Sequence, residues 1–328
     1  MAARFKTVVQ GAGGSQIWIK HPFASSPTKP DSALQVLATP TAYRAVVSAV
    51  HRESERDKVD LQVASAPSSP HEVNLNVSRH GQRIIRIHLR EVPRLLRAAI
   101  VIDDMGHDLE AAQKLLALSY PLTFSVLPHL RYTQETAQEA HRRGHEVMLH
   151  LPMEPEHSTH VSPGEGAILV GMSAAEVQRV VQNDLASVPY AMGVNNHMGS
   201  RATRDANLMA NVMKVLANRR LYFIDSRTTA ETTALDAARD QHLPAFYRAV
   251  FLDNTESLPY TLKQLREFRH TVEREGVALA IGHPHPTTIA ALAQFLPELE
   301  SSDIQLVAPS QIVRLPEIAQ LHPAVSGN

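Results

Sequence analysis

The stretch that decides the fold is RAAIVIDDMGHD, Arg97 to Asp108. Five apolar residues, Ala98 to Ile102, run directly into two adjacent carboxylates, Asp103 and Asp104, and then Met105-Gly106. Alternation along a strand sends neighbouring side chains to opposite faces. One Asp should therefore point inward and the other outward, unless the chain turns there and both serve one site.

Downstream of Arg97 the same rhythm repeats. Short apolar runs, AAIVID, LTFSVLP, EVMLHLP, AMGVNNH, LYFIDS, FYRAVFLD, VALAIGH and IQLVAP, alternate with amphipathic segments at 131–143, 173–187, 204–218, 260–275 and 287–298. Strand–helix repetition of this kind means a parallel sheet. Seven or eight such units in about 215 residues predict an α/β fold of the irregular (β/α) barrel type over 97–315. Upstream, TPTAYRAVVSAVHRESERDK carries a Thr-Pro helix entry. The alternating runs VDLQVAS, EVNLNVSR and RIIRIHLRE follow it. They predict a small N-terminal α/β domain over 39–94. Residues 1–38, with Gly, Ser and Pro clusters, read as a poorly ordered leader in which SQIWIK forms a short strand. Residues 316–328 read as a tail.

Composition narrows the function. The 328 residues are 44% hydrophobic and 20% charged, which suits a globular protein with a core. A net charge of −1 gives no electrostatic case for nucleic acid or an anionic membrane. There is no cysteine, so any metal must sit on His, Asp, Glu or backbone oxygens. No window is long and apolar enough for a transmembrane helix, and the N-terminus lacks a secretory signal pattern. No phosphate loop is present, and GAGG at 11–14 precedes any βα unit. A sugar-phosphate barrel enzyme fits poorly, because AIGHPHP places two prolines where backbone donors would be needed.

In parallel α/β folds chemistry gathers at the C-terminal ends of the strands. The residues there are Asp103 and Asp104; His150 and Glu154; Asn195, Asn196, His197, Ser200 and Arg201; Asp225, Ser226 and Arg227; Asp253 and Asn254; His283 and His285. Each alone has a plainer role. Asp104 could cap the helix beginning near 107, His150 could be a bonded core residue, His197 could serve turn chemistry, and Asp225 could be another cap. Convergence of these strand ends on one mouth favours a shared site. Like charges gathered there need compensation, and a divalent cation provides it. Asp with two imidazoles suits zinc or another first-row metal. Asp104 would then bind the metal and Asp103 would take the proton of the attacking water. The long segment 151–172, with His157 and His160, reads as a rim or lid.

The motifs VIDDMG, LHLPMEP, GVNNHMGS, FIDSRTT, FLDN and AIGHPHP, in that order, resemble the polysaccharide deacetylases of the NodB-type carbohydrate esterases. They look most like the divergent polysaccharide deacetylase branch, the YibQ-like proteins of the bacterial envelope. The resemblance implies a deacetylase-like barrel over about 97–315, with Asp103 as catalytic base and Asp104 as metal ligand. His150 matches the first His of a His-x-x-x-His metal motif. Glu154 occupies the place of the second, so His197 is expected as the third ligand, with Glu154 as the alternate. His283 matches the general acid and Asp225 the Asp that orients it. Arg201 and Arg227 are candidates for the Arg that tunes the base. Asn195, Asn196, Ser200, Arg201, Arg227, Asp253, Asn254 and His285 are expected to line the substrate pocket. The implied function is removal of an acetyl group from an N-acetylated sugar of an envelope glycan, or from another small acylated substrate, with zinc as the leading cofactor candidate. The rival expectation is a catalytically degenerate metal-binding scaffold acting through protein partners in envelope maintenance.

Overall fold

The computed structural model describes residues 1–20, 33–66, 69–156, 161–315 and 318. Residues 21–32, His157, His160 and all of the expected tail except Ile318 lie outside them. The chain divides into two compact units, Met1–Leu96 with Asp303–Gln305, and Arg97–Ser302 with Leu306–Asn328.

In the first unit the elements are α1 (Ala2–Gly13), β1 (Ile17–Lys20), β2 (Ala33–Ala38), α2 (Pro40–Asp57), β3 (Asp60–Ala66), β4 (Ser69–Arg79) and β5 (Gln82–Glu91). The sheet order is β1-β2-β5-β4-β3, with β2 and β5 parallel and the other pairs antiparallel. The expected leader is corrected here. Residues 2–13 are a helix whose Phe5 and Val9, four apart on one face, are buried with Val46 and Val50 of α2 and Leu75, Ile87 and Leu89 of the sheet. The Gly cluster that reads as flexible marks close packing at one position. A Cβ on Gly13 would fall 2.1 Å from Ile17 Cγ2. The strand expected at SQIWIK is β1.

The second unit alternates strands and helices: β6 (Leu96–Met105), α3 (Leu109–Leu116), β7 (Thr123–Val126), α4 (Thr133–Arg142), β8 (Glu146–Met153), α5 (Ala174–Ser187), β9 (Ala191–Met198), α6 (Ala206–Asn218), β10 (Tyr222–Asp225), α7 (Ala234–Asp240), β11 (Ala245–Tyr247), β12 (Val250–Phe251), α8 (Leu258–Glu275), β13 (Val277–Gly282) and α9 (Pro286–Ser301). The strands lie in the order β11-β10-β9-β8-β7-β6-β13-β12, every pair parallel. This is an irregular barrel. Its two end strands, β11 and β12, are neighbours in sequence. Ala98 to Ile102 are all fully buried, as expected of a strand covered on both faces. Parallel pairing brings every strand's C-terminal end to one mouth. Among the described residues no helix is long and apolar enough to cross a membrane.

Candidate active site

The pairing of β6 with β7 resolves the paired carboxylates. Ile102 stands opposite Phe124 and Met105 opposite Val126, so Asp103 and Asp104 together face the single residue Ser125. That is a β-bulge, which breaks the alternation and re-aims a side chain. Asp104 takes φ 55°, a left-handed conformation that Asp tolerates better than most residues. Both carboxylates thereby enter one site. Asp104 caps nothing; the N-cap of α3 is Asp108, whose Oδ1 accepts from Glu110 N and Ala111 N.

Three strands contribute to a cluster around Asp104. Its Oδ1 lies 3.2 Å from His150 Nε2 on β8 and 3.0 Å from His197 Nδ1 on β9. The two ring nitrogens are 3.2 Å apart. Asp104 Oδ1 is buried with no hydrogen-bond partner. Three lone-pair atoms converging at about 3 Å match the edge of a tetrahedron with bonds of about 2.0 Å, so the set fits a divalent ion of the zinc type. Burial alone would raise the Asp104 carboxyl, but the two imidazoles beside it outweigh burial and hold it far below the usual range.

Asp103 is 3% exposed. Burial raises its carboxyl, against the lowering effect of His150 and His283 nearby and of a hydrogen bond from Asn195. Asn195 Nδ2 donates to Asp103 Oδ1 at 2.8 Å and Oδ2 at 3.1 Å. Its Oδ1 meets His150 Nδ1 at 2.8 Å and accepts from Ser125 Oγ at 2.6 Å. Asn195 is fully buried beside His150 in the β8–β9 register, so it supports the site and does not line a pocket.

His283, at the end of β13, reaches Asp104 Oδ2 from Nε2 at 3.8 Å. Its Nδ1 lies 3.0 Å from Asp253 Oδ1, and its backbone N–H donates to Asp253 Oδ2 at 2.6 Å. Thr288 Oγ1 donates to the same oxygen at 2.7 Å. Burial alone would lower the His283 pKa, but the Asp253 bond and the charges of Asp103, Asp253 and Asp104 outweigh it and lift it to about 9. Asp253, expected as a pocket residue, is therefore the group that orients His283. Asp225, expected in that role, accepts from Arg227 N at 2.8 Å and from Thr232 Oγ1 at 2.9 Å and holds its own turn.

Other expectations are corrected too. Glu154 is not gathered to the cluster. Its carboxylate accepts from Val170 N at 2.7 Å and pairs with Arg201 Nη1 at 2.7 Å, pinning the segment after β8. That pairing also engages Arg201, a candidate partner of Asp103, with Glu154. Ser200 Oγ accepts from Glu156 N at 3.0 Å. Asn196 is buried, donating to Met198 O at 2.8 Å and accepting from Ser226 N at 2.9 Å, so it ties β9 to β10. Arg227, exposed at φ 50°, stacks on Tyr247 at 4.6 Å. Asn254 is exposed next to Asp253. His285 lies 5.7 Å from His283 between ring centroids and 3.7 Å from Glu256, at the mouth. Asp253, His283 and His285 also approach one another, but Asp253 is already satisfied by His283 and Thr288.

The residue that sequence reasoning missed is Arg248. Its Nε donates to Ser226 O at 2.7 Å and its Nη2 to Arg227 O at 2.9 Å, and it stacks on Phe251 at 4.9 Å. Burial lowers its pKa, opposed by attraction to Asp103 and Asp225. The available signal was an Arg interrupting the apolar run FYRAVFLD.

Comparison with known proteins places this geometry in a family. The description "Divergent polysaccharide deacetylase" matches residues 100–313. The chain belongs to that family. A YibQ protein of Escherichia coli K12, itself uncharacterized, is 36% identical over 222 residues, 68% of this chain and 69% of its own length. An uncharacterized protein of Haemophilus influenzae is 34% identical over 229 residues, 70% of this chain and 81% of its own length. The crystal structure of the uncharacterized protein ATU2773 from Agrobacterium tumefaciens C58 superposes with a TM-score of 0.64 at 25% identity, covering 67% of this chain and 89% of that one. The cluster, from Asp103 to His283, lies inside the matched region.

Proposed function

We propose that this divergent polysaccharide deacetylase is a metal-dependent hydrolase that removes an acetyl group from an N-acetylated sugar of a cell-envelope glycan. The observation that carries the reading is the buried, unpartnered Asp104 Oδ1 facing His150 Nε2 and His197 Nδ1, with Asp103 and His283 beside it.

A divalent ion held by Asp104, His150 and His197 would act as a Lewis acid, acidifying water and polarising the acyl carbonyl. The remaining work falls to the chain. Asp103 takes a proton from the attacking water. Arg248 attracts the charged form of Asp103, offsetting part of the burial that disfavours it. As the water oxygen bonds to the acyl carbon and the C–N bond breaks, His283 gives its proton to the departing amine. The bond to Asp253 and the charge of Asp103 favour that proton on the ring. Asp253 on Nδ1 leaves Nε2 as the atom turned toward Asp104. Only 5% of the residues are aromatic, which supports a short ligand over a long stacking groove.

The test uses purified protein, with metal analysis and turnover of an acetylated chito-oligosaccharide with and without added zinc. Zinc-dependent acetate release abolished by Asp103→Asn is expected. Bound metal with no turnover of any acyl substrate would favour the scaffold reading, for which the displacement of Glu154 from the cluster onto Arg201 speaks.

A further inference from the structure

Asn195 touches both halves of the site, and its two ends are not interchangeable. The primary amide has two donor hydrogens on nitrogen and two lone pairs on oxygen. The Nδ2 end faces Asp103, where it donates across both carboxyl oxygens at 2.8 and 3.1 Å. Ser226 Oγ lies 3.2 Å from the same nitrogen. Oδ1 is thereby turned toward His150 Nδ1 at 2.8 Å, and Ser125 Oγ donates to it at 2.6 Å. Only a protonated Nδ1 satisfies that contact. On the neutral ring the Nε2 lone pair is then left facing Asp104 and His197.

Among the described residues, no other group bonds His150 Nδ1. Nε2 lies 3.2 Å from Asp104 Oδ1 and 3.5 Å from Asp103 Oδ2, two carboxylates that would each draw a proton onto it. Without Asn195 the neutral ring would carry its proton on Nε2, the wrong nitrogen for holding a cation.

We propose that Asn195 is a positioning residue that couples Asp103 to the tautomer of His150, so that the base and the metal ligand are set by one amide. This rests on the hydrolase reading for the roles of the two groups, but not for the tautomer itself. Substituents behind metal-bound imidazoles typically change metal affinity by roughly 10–100-fold.

The test is nitrogen-15 NMR of the His150 ring in metal-free protein, recorded on the neutral ring, alongside zinc affinity by calorimetry. Wild type should carry the proton on Nδ1. Asn195→Leu should move it to Nε2 and weaken zinc binding roughly 10–100-fold. Asn195→Asp keeps an acceptor toward His150, while the amide donor toward Asp103 is replaced by one proton shared between the two facing carboxyls, which leaves Asp103 a poorer base. This variant should hold the Nδ1 proton and bind zinc within about threefold of wild type, while turnover falls about a hundredfold. A wild-type ring protonated on Nε2, or an unchanged tautomer in Asn195→Leu, overturns the proposal. Equal zinc loss in both variants also overturns it, since that is what simple disruption of the fold would give. If Asn195→Leu does not fold, the wild-type and Asn195→Asp tautomers still decide. If wild type binds no zinc and releases no acetate, the hydrolase reading fails, and the tautomer measurement stands independently.

Discussion

Asp104 and Asp225 each close a buried strand of the same parallel sheet, and both sit at its C-terminal mouth. Their oxygens are engaged in opposite ways. Asp225 meets a backbone N–H two residues on and a hydroxyl seven residues on, so its turn satisfies it locally. Asp104 is turned by a bulge away from its own segment and keeps a buried oxygen with no donor, facing two imidazoles from other strands. An orphaned buried oxygen costs roughly 1–3 kcal/mol, and more for a charged group. A fold keeps such an atom where something else is to meet it. The largest expected effect follows. Asp104→Ala should lower zinc affinity about a thousandfold or more, beyond the roughly 10–100-fold typical of residues behind the ligands. Isothermal titration measures it, and wild-type affinity in that variant would remove the distinction between the two Asp residues.

Asp253 sharpens the comparison because it resembles Asp225 in being satisfied, yet one of its partners is the ring of His283. Asp253→Asn should reduce kcat about a hundredfold while zinc content stays at the wild-type level, within the range of general acid catalysis. Steady-state kinetics with metal analysis on the same preparation separates this from the Asp104 result.

Which of these roles could be read from the sequence depends on whether they follow from strand order or from register. The alternation of apolar runs and helices gave the parallel sheet, and the rule that chemistry lies at strand ends gathered Asp103, Asp104, His150, His197 and His283 correctly at one mouth. The bulge was not legible, since two residues facing one is a property of hydrogen bonding between β6 and β7. The partner of His283 was misassigned for a related reason. Asp225 and Asp253 look alike in sequence, but β12 pairs with β13, whereas β10 lies toward the other end of the sheet order. Asn195 reads as a polar strand-end residue, and only its register opposite His150 shows that it is buried beside His150 and bonded to Asp103. In the first unit, Phe5 and Val9 were too short a stripe to outweigh the neighbouring glycines.

A fourth carboxylate lies outside the cluster and extends the contrast. Asp184 on α5 is fully buried, with Oδ1 2.7 Å from His129 Nε2 and Oδ2 without a partner. Gly166 packs so closely that a Cβ there would fall 2.2 Å from Asp184 Oδ1. Burial outweighs the pull of His129 and raises the carboxyl to about 7. Folded protein therefore keeps this proton up to about pH 7, whereas the unfolded chain releases it near the ordinary carboxyl value of 3.8. Folding takes up a proton between those values, so this group's contribution falls as pH rises through that window. The loss from pH 5 to pH 8 is about 3 kcal/mol at most. Asp184→Asn should flatten that part of the pH–stability curve and be relatively more stable at pH 8 than at pH 5. Urea unfolding at both values measures it, and an unchanged slope would show that Asp184 is ionised throughout.

The smallest effect is expected where the comparison began. Asp225→Asn keeps an oxygen to accept from Arg227 N, and Thr232 Oγ1, whose hydroxyl rotates, can turn to accept from the new amide. The substitution removes a buried carboxylate whose charge burial already disfavours, so stability should change by about 1 kcal/mol. Because no contact joins Asp225 to His283, kcat should stay within about threefold of wild type, where loss of the group orienting the acid would cost about a hundredfold. Asp225 does share Arg248 with Asp103, since Arg248 N donates to Asp225 O and its side chain is drawn to both carboxylates. A kcat collapse in Asp225→Asn with zinc content and melting temperature unchanged would therefore place Asp225 in the catalytic machinery through Arg248, and the line drawn between satisfied and unsatisfied strand-end carboxylates would not hold.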